Sequence, residues 1–200
     1  MRVVLVGNAP VTRDHAPMTD AADLVVRFNE PATWDAGTGR RFDVWVLANG
    51  RAGASLVARR PFVDAPYRAL PSELWFPVST EVHAELRRRH PHGYLKPQSE
   101  HDTGPDIVAA NALGQPTRHL GAENYRRAFA AMQEIDPNLQ PTRVPSAGFV
   151  TATFFLETRP GDDLALVGFT FRGWPVHPWA VEEVFMRRAA EAGRLALIPA

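Results

Sequence analysis

Continuous apolar runs closed by turn residues dominate the first fifty positions. Val3-Val4-Leu5-Val6 stops at Gly7-Asn8-Ala9-Pro10, Leu24 to Phe28 stops at Asn29-Glu30-Pro31, and Phe42 to Leu47 stops at Ala48-Asn49-Gly50. Short runs without polar alternation predict strands buried on both faces of a parallel sheet. Glu73 to Val78 reads as a further strand and Thr80 to Arg89 as a helix capped by Ser79. From Pro91 to Gln115, histidine, proline, glycine and polar residues follow no period, which predicts a long loop or an excursion over the sheet edge.

Periodicity returns at Ala122 to Ile135, where Tyr125, Phe129 and Met132 recur at helical spacing. Phe149 to Glu157 suits helix or strand on pattern alone, and Ser146 at an N-cap position favours helix. Asp163 to Val167 predicts a strand ended by Gly168, Pro178 to Ala192 a helix with Val181, Val184 and Phe185 inward, and Leu195 to Ile198 a last strand. Strands alternating with helices define an α/β class: a mostly parallel, Rossmann-like sheet with helices on both faces. No repeat or linker divides the chain, so residues 1–200 are expected to form one domain.

Composition narrows the partners. Lysine plus arginine balance aspartate plus glutamate at 22 each, so neither nucleic acid nor an anionic membrane is an expected partner. The run Arg87-Arg88-Arg89 follows Glu81 and Glu85 and reads as a solvated helix face. With no cysteine there is no disulfide framework, zinc-thiolate site or cysteine nucleophile, which suits a reducing cytosol and a cytoplasmic location. The first apolar run is too short for a secretory leader, and no stretch is long enough to span a bilayer.

Three predicted strands end in an asparagine: Asn8, Asn29 and Asn49. Amides delivered to the carboxyl edge of an open parallel sheet can meet a polar ligand with both donors and acceptors, although each is equally a turn-capping residue. The Gly7-Asn8-Ala9 turn is not a Gly-x-Gly-x-x-Gly fingerprint, and the sole lysine, Lys96, belongs to no phosphate-binding Gly-Lys-Ser/Thr motif. Ser146-Ala147-Gly148 opens a helix whose free N–H groups can hold an anion, or else is an ordinary cap. His177 precedes Pro178 at a helix start and can serve as a general base; Glu182, five positions on, does not share its face in a regular helix. His90, His92, His101 and Asp102 match no zinc spacing and read as a solvated loop, and no Asp-x-Asp pair is present to hold a divalent ion.

In order, Val6-Gly7-Asn8, Val26-Arg27-Phe28-Asn29, Pro145-Ser146-Ala147-Gly148, Val167-Gly168-Phe169 and His177 with Glu182 resemble the motifs of the sialyltransferases, animal and bacterial. The resemblance covers the first fifty and last sixty residues. It implies a modified GT-A-like single domain that transfers a sialic-acid-like sugar from a CMP-sugar, with inversion and without metal or other cofactor. Asn8 and Asn29 then match the nucleotide-holding asparagines, with Gly7 and Ala9 beside them, and Asn49 a further one near the donor sugar. Ser146, Ala147 and Gly148 match the turn facing the nucleotide or donor carboxylate, Ala147 standing where the animal enzymes carry threonine. His177 matches the catalytic histidine, Arg172 stands near the position of the bacterial phosphate-binding tyrosines, and Glu182 supports. Partners implied are a nucleotide sugar and a glycan or small-molecule acceptor. The alternative is a non-catalytic nucleotide- or sugar-binding accessory protein that keeps the donor pocket.

Overall fold

The structure is a computed structural model that describes residues 1–89, 101–140 and 142–199. The described residues form one all-parallel sheet of seven strands: β1 (Arg2–Val6), β2 (Leu24–Phe28), β3 (Val44–Val46), β4 (Glu73–Phe76), β5 (Thr117–His119), β6 (Asp163–Val167) and β7 (Ala196–Ile198), in the order β5-β4-β3-β2-β1-β6-β7. The chain steps outward from β1 to β5, then returns to the other side of β1 for β6 and β7. The direction of winding therefore reverses between β1 and β6, the place where open α/β sheets open a ligand crevice.

Successive strand residues point to opposite faces, so each apolar run feeds two cores. Val3 and Leu5 join Val26, Phe28, Trp75 and Phe155 in one cluster, while Val4 and Val6 join Val25, Ala165 and Val167 in another. The first is covered by α5 (Ala122–Ile135), α6 (Ala147–Thr158) and α7 (Trp179–Glu191). Toward the β5 edge a third cluster packs Trp45, Leu74 and Phe76 against Leu56 of α2 (Arg51–Arg59) and Ile107 of α4 (Gly104–Ala110). The short α1 (Ala16–Asp20) and α3 (Thr80–Arg89) complete the described elements.

α6 explains its own ambiguity. Phe149 through Leu156 are all buried, so the helix has no polar face to betray a period. Its Thr151 and Thr153 hydroxyls are satisfied within the helix, donating to the Ala147 and Phe149 carbonyls at 2.8 and 3.1 Å.

Two expectations need correction. The stretch expected to be irregular contains α4, which starts at a Gly-Pro pair; its residues 90–100, including His90, His92 and Lys96, lie outside the described residues. Val184 is 37% exposed rather than inward, the inner face of α7 being carried instead by Val181, Phe185, Met186 and Ala189. Helix α2, for which the sequence pattern offered no element, runs unbroken through Gly53. That glycine is set by packing: a Cβ there would meet Thr103 Oγ1 at 2.0 Å.

Arg27, on β2, is a charged strand residue that is fully buried. Its guanidinium donates to the carbonyls of Thr38, Gly39 and Arg41 at 2.7, 2.8 and 3.1 Å, pinning the 38–41 turn under the sheet. Burial lowers its pKa to about 10, partly offset by the charge of Asp20, so it stays ionised at neutral pH.

Candidate functional site

A cavity of about 610 Å³ opens at the carboxyl edge of the sheet, at the reversal between β1 and β6. All of the residues singled out from the sequence line it: the Gly7-Asn8-Ala9 turn, Asn29, Asn49, the Ser146-Ala147-Gly148 start of α6, Arg172, and His177 with Glu182. Glycines let the two central turns meet. A Cβ on Gly7 would fall 2.4 Å from the Gly168 carbonyl, and one on Gly148 would strike the Phe169 ring at 2.8 Å.

The three asparagines share a function that the sequence did not disclose. Asn8 Nδ2 donates to the Phe28 carbonyl at 2.9 Å, Asn29 Oδ1 accepts from the Ala48 N–H at 2.9 Å, and Asn49 both donates to the Val78 carbonyl at 2.6 Å and accepts from the Val78 N–H at 3.2 Å. Each side chain thus ties the end of its own strand to the end of the next. Asn29 can do so because its backbone takes φ 49°, a left-handed conformation that asparagine tolerates better than most residues. These bonds engage one end of Asn8 and of Asn29, and both residues line the cavity. Asn49 is wholly buried and also donates to Asp102 Oδ1 at 2.7 Å, so it shapes the wall from beneath.

His177 sits between β6 and α7. Its Nδ1 lies 2.8 Å from the Val144 carbonyl, which can only accept, so Nδ1 carries the proton and Nε2 presents a lone pair. Burial pushes the imidazole below its ordinary pKa, the bond to Val144 pulling the other way. A neutral ring with a defined tautomer is the state a general base requires. Trp174 and Trp179 stand edge-on to the imidazole, with ring centroids at 5.4 and 5.0 Å.

Glu182 does not orient His177. Its carboxylate accepts from Ser146 N–H and Ser146 Oγ–H, both at 2.7 Å, joining the starts of α7 and α6. Ser146 Oγ in turn accepts from Phe149 N–H at 3.1 Å, the predicted helix cap. The serine hydroxyl is therefore committed within the protein. What the start of α6 offers a ligand is the N–H groups of Ala147 and Gly148, which no intrahelical carbonyl can reach. Arg172, exposed on the loop after β6, supplies a cation at the rim of the same cavity.

Sequence reasoning missed the group at the β4–β5 end. His83 of α3 lines the cavity, is 3% exposed, and neither ring nitrogen has a hydrogen-bond partner among the described residues. Nearby, His119 Nε2 pairs with Asp102 Oδ2 at 2.6 Å. Burial acts to raise the Asp102 pKa and is outweighed by the bonds from Asn49, Gly104 N–H and His119, which hold the carboxylate below its usual range. His101 lies 3.5 Å from Asp106, and its charge also acts on His83. Among the described residues no cluster of three or more acidic or histidine side chains is arranged to hold a metal ion, and no helix is long and apolar enough to cross a membrane.

A doubly wound parallel sheet with a cavity at its winding reversal defines a Rossmann-like α/β domain. Known structures bear this out. A mammalian sialyltransferase solved with Gal-beta-1-3GalNAc-ortho-nitrophenol superposes over 98% of this chain and 68% of its own, with a TM-score of 0.59 and 17% identity. The sialyltransferase CstII from Campylobacter jejuni, solved with CMP-3FNeuAc, does so over 99% of this chain and 81% of its own, with a TM-score of 0.56 and 11% identity. At such identities the likeness is one of fold. No protein-family profile matches the sequence. The urease operon 23 kDa accessory protein of Rhizobium meliloti (strain 1021) is 30% identical over 200 residues, spanning 96% of this chain and 90% of its own. The chain belongs to the family of that accessory protein.

Proposed function

We propose that the cavity binds a CMP-sugar and that the protein transfers its sugar, of the sialic-acid type, to an acceptor hydroxyl with inversion. The observation that carries this reading is His177: a half-buried, neutral imidazole with Nδ1–H fixed on the Val144 carbonyl and Nε2 uncommitted among the described residues, in the wall of a cavity at the sheet's winding reversal. In the reaction, the acceptor oxygen attacks the anomeric carbon as its proton passes to His177 Nε2. The bond from that carbon to the phosphate oxygen breaks, and CMP leaves with the electron pair. The N–H groups of Ala147 and Gly148 and the guanidinium of Arg172 are the donors available to the departing phosphate, in place of a metal ion.

The test is calorimetric titration with CMP, followed by hydrolysis and transfer assays with CMP-sialic acid. His177→Ala is expected to keep CMP binding while turnover falls by about 10²-fold or more. Unchanged turnover removes His177 from the mechanism, and absence of CMP binding removes the reading altogether. Membership in the family of a urease operon accessory protein favours a second reading, a binder that keeps the donor pocket without transfer. CMP binding without turnover under any acceptor would select it.

A further inference from the structure

The start of α2 and the ring of His83 meet on one wall of the cavity. Gly50 is the N-cap of α2; it brings no side-chain oxygen to the helix, and the first turn carries no acidic residue. The first N–H groups of a helix are beyond the reach of its own carbonyls, and the helix dipole adds positive potential there. By contrast, α6 is capped by the Ser146 hydroxyl. The Gly50 carbonyl is already taken, accepting from Gly53 N–H at 2.9 Å and from Thr103 Oγ1–H at 3.4 Å. The turn is thus left with donors to offer. The His83 ring stands against it, since a Cβ on Gly50 would lie 3.6 Å from His83 Cε1. His83 is 3% exposed, lines the cavity together with Gly50, and among the described residues has no hydrogen-bond partner at either nitrogen. Buried imidazole nitrogens without partners cost stability, which a bound group that supplies the missing bond restores.

We infer that His83 and the first N–H groups of α2 form an oxyanion site that takes a carboxylate or phosphate group of a ligand. One oxygen accepts from the imidazole N–H and another from the helix start. An ammonium group offers no acceptor, and a lone hydroxyl has a single oxygen to divide between the two donors. The acidic group whose charge reaches His83 is Asp102, and the charges of His119, His101 and Arg87 act in the opposite sense. Asp102 is committed within the protein. Its Oδ1 accepts from Asn49 Nδ2 and Gly104 N–H at 2.7 and 2.9 Å, and its Oδ2 meets His119 Nε2 and Thr80 Oγ1 at 2.6 and 3.3 Å. The site uses no residue at the start of α6 and does not depend on the CMP-sugar reading.

The protein is labelled with ¹⁵N-histidine and ¹⁵N-glycine, and the His83 ring and Gly50 amide signals are assigned by substitution. Sodium acetate and sodium phosphate are titrated separately, with sodium chloride holding the ionic strength constant. Saturable shifts of both sets of signals are expected with at least one of the two anions. A response to acetate alone defines a carboxylate site, and a response to phosphate alone a phosphate site. No shift with either anion, or a shift that chloride reproduces, overturns the inference. Gly50→Asp places a carboxylate of the protein's own at the cap, and the 3.6 Å spacing to His83 admits the side chain. It is expected to weaken binding by about tenfold or more, while Gly50→Ala, which adds no oxygen, keeps it. An equal loss in Gly50→Ala, or undiminished binding in Gly50→Asp, removes α2 from the site and overturns the inference. His83→Leu, followed by the Gly50 amide, is expected to weaken binding by about tenfold or more, and undiminished binding there overturns it as well.

Discussion

Replacing Glu182 by glutamine separates the charge of this side chain from its hydrogen bonds. The carboxylate is 1% exposed and receives both the N–H and the hydroxyl of Ser146. Burial raises its pKa from 4.5 to about 7, the two Ser146 bonds pulling the other way. An acid held above its unfolded value binds its proton more tightly in the native state. Its contribution to stability is therefore complete below pH 4.5 and is lost as the pH rises through about 7. At about 1.4 kcal/mol for each unit of pKa difference, the loss comes to about 3 kcal/mol. Glutamine keeps an oxygen to accept from Ser146 N–H and cannot ionise. Urea unfolding of the two proteins, followed by tryptophan fluorescence across about pH 4.5 to 8, should show glutamine gaining on glutamate by about 3 kcal/mol. The contributions of all other groups cancel in that difference. A flat difference refutes the dominance of burial, and a decline shows that the Ser146 bonds outweigh it.

His83 invites the same logic on the basic side. Burial lowers its pKa from 6.5 to about 4, the charge of Asp102 opposing, so native stability is lost as the pH falls from 6.5 through 4 while the unfolded chain takes up the proton. His83→Leu removes two buried nitrogens without partners; thermal and urea unfolding should show a gain of about 1–3 kcal/mol at neutral pH and a flatter acid limb, and a loss of stability at neutral pH would refute it. Arg27→Lys keeps the charge but cannot span the carbonyls of Thr38, Gly39 and Arg41, and a destabilisation of about 3 kcal/mol is expected from chemical unfolding; parity with the parent protein would show that these bonds carry little.

Much of the fold was readable because parallel strands advertise themselves. β2, β6 and α5 match their expected limits, since runs such as Leu24 to Phe28 are buried on both faces and bounded by turns. The β5 edge was not readable, for local reasons. Thr117–His119 is a largely exposed edge strand with no apolar run, and α2 carries Gly53 against Thr103. His83 left no signal at all. A single histidine on α3 looks like any polar residue of a solvated helix, and only the tertiary structure brings its ring against the Gly50 turn, where a Cβ would stand 3.6 Å from Cε1.

The asparagines show how a correct location can carry an incomplete reason. Their positions at three strand ends pointed to the cavity, yet the side chains first serve the backbone, each binding the end of the next strand. That duty fixes what is left over. Asn8 spends one of its two N–H donors on Phe28 and Asn29 one lone pair on Ala48, so each retains both donor and acceptor capacity. Asn49 spends both N–H donors and is wholly buried. What Asn8 and Asn29 can offer a ligand is therefore what remains after the sheet edge has been tied together, and a ligand with both donors and acceptors suits it.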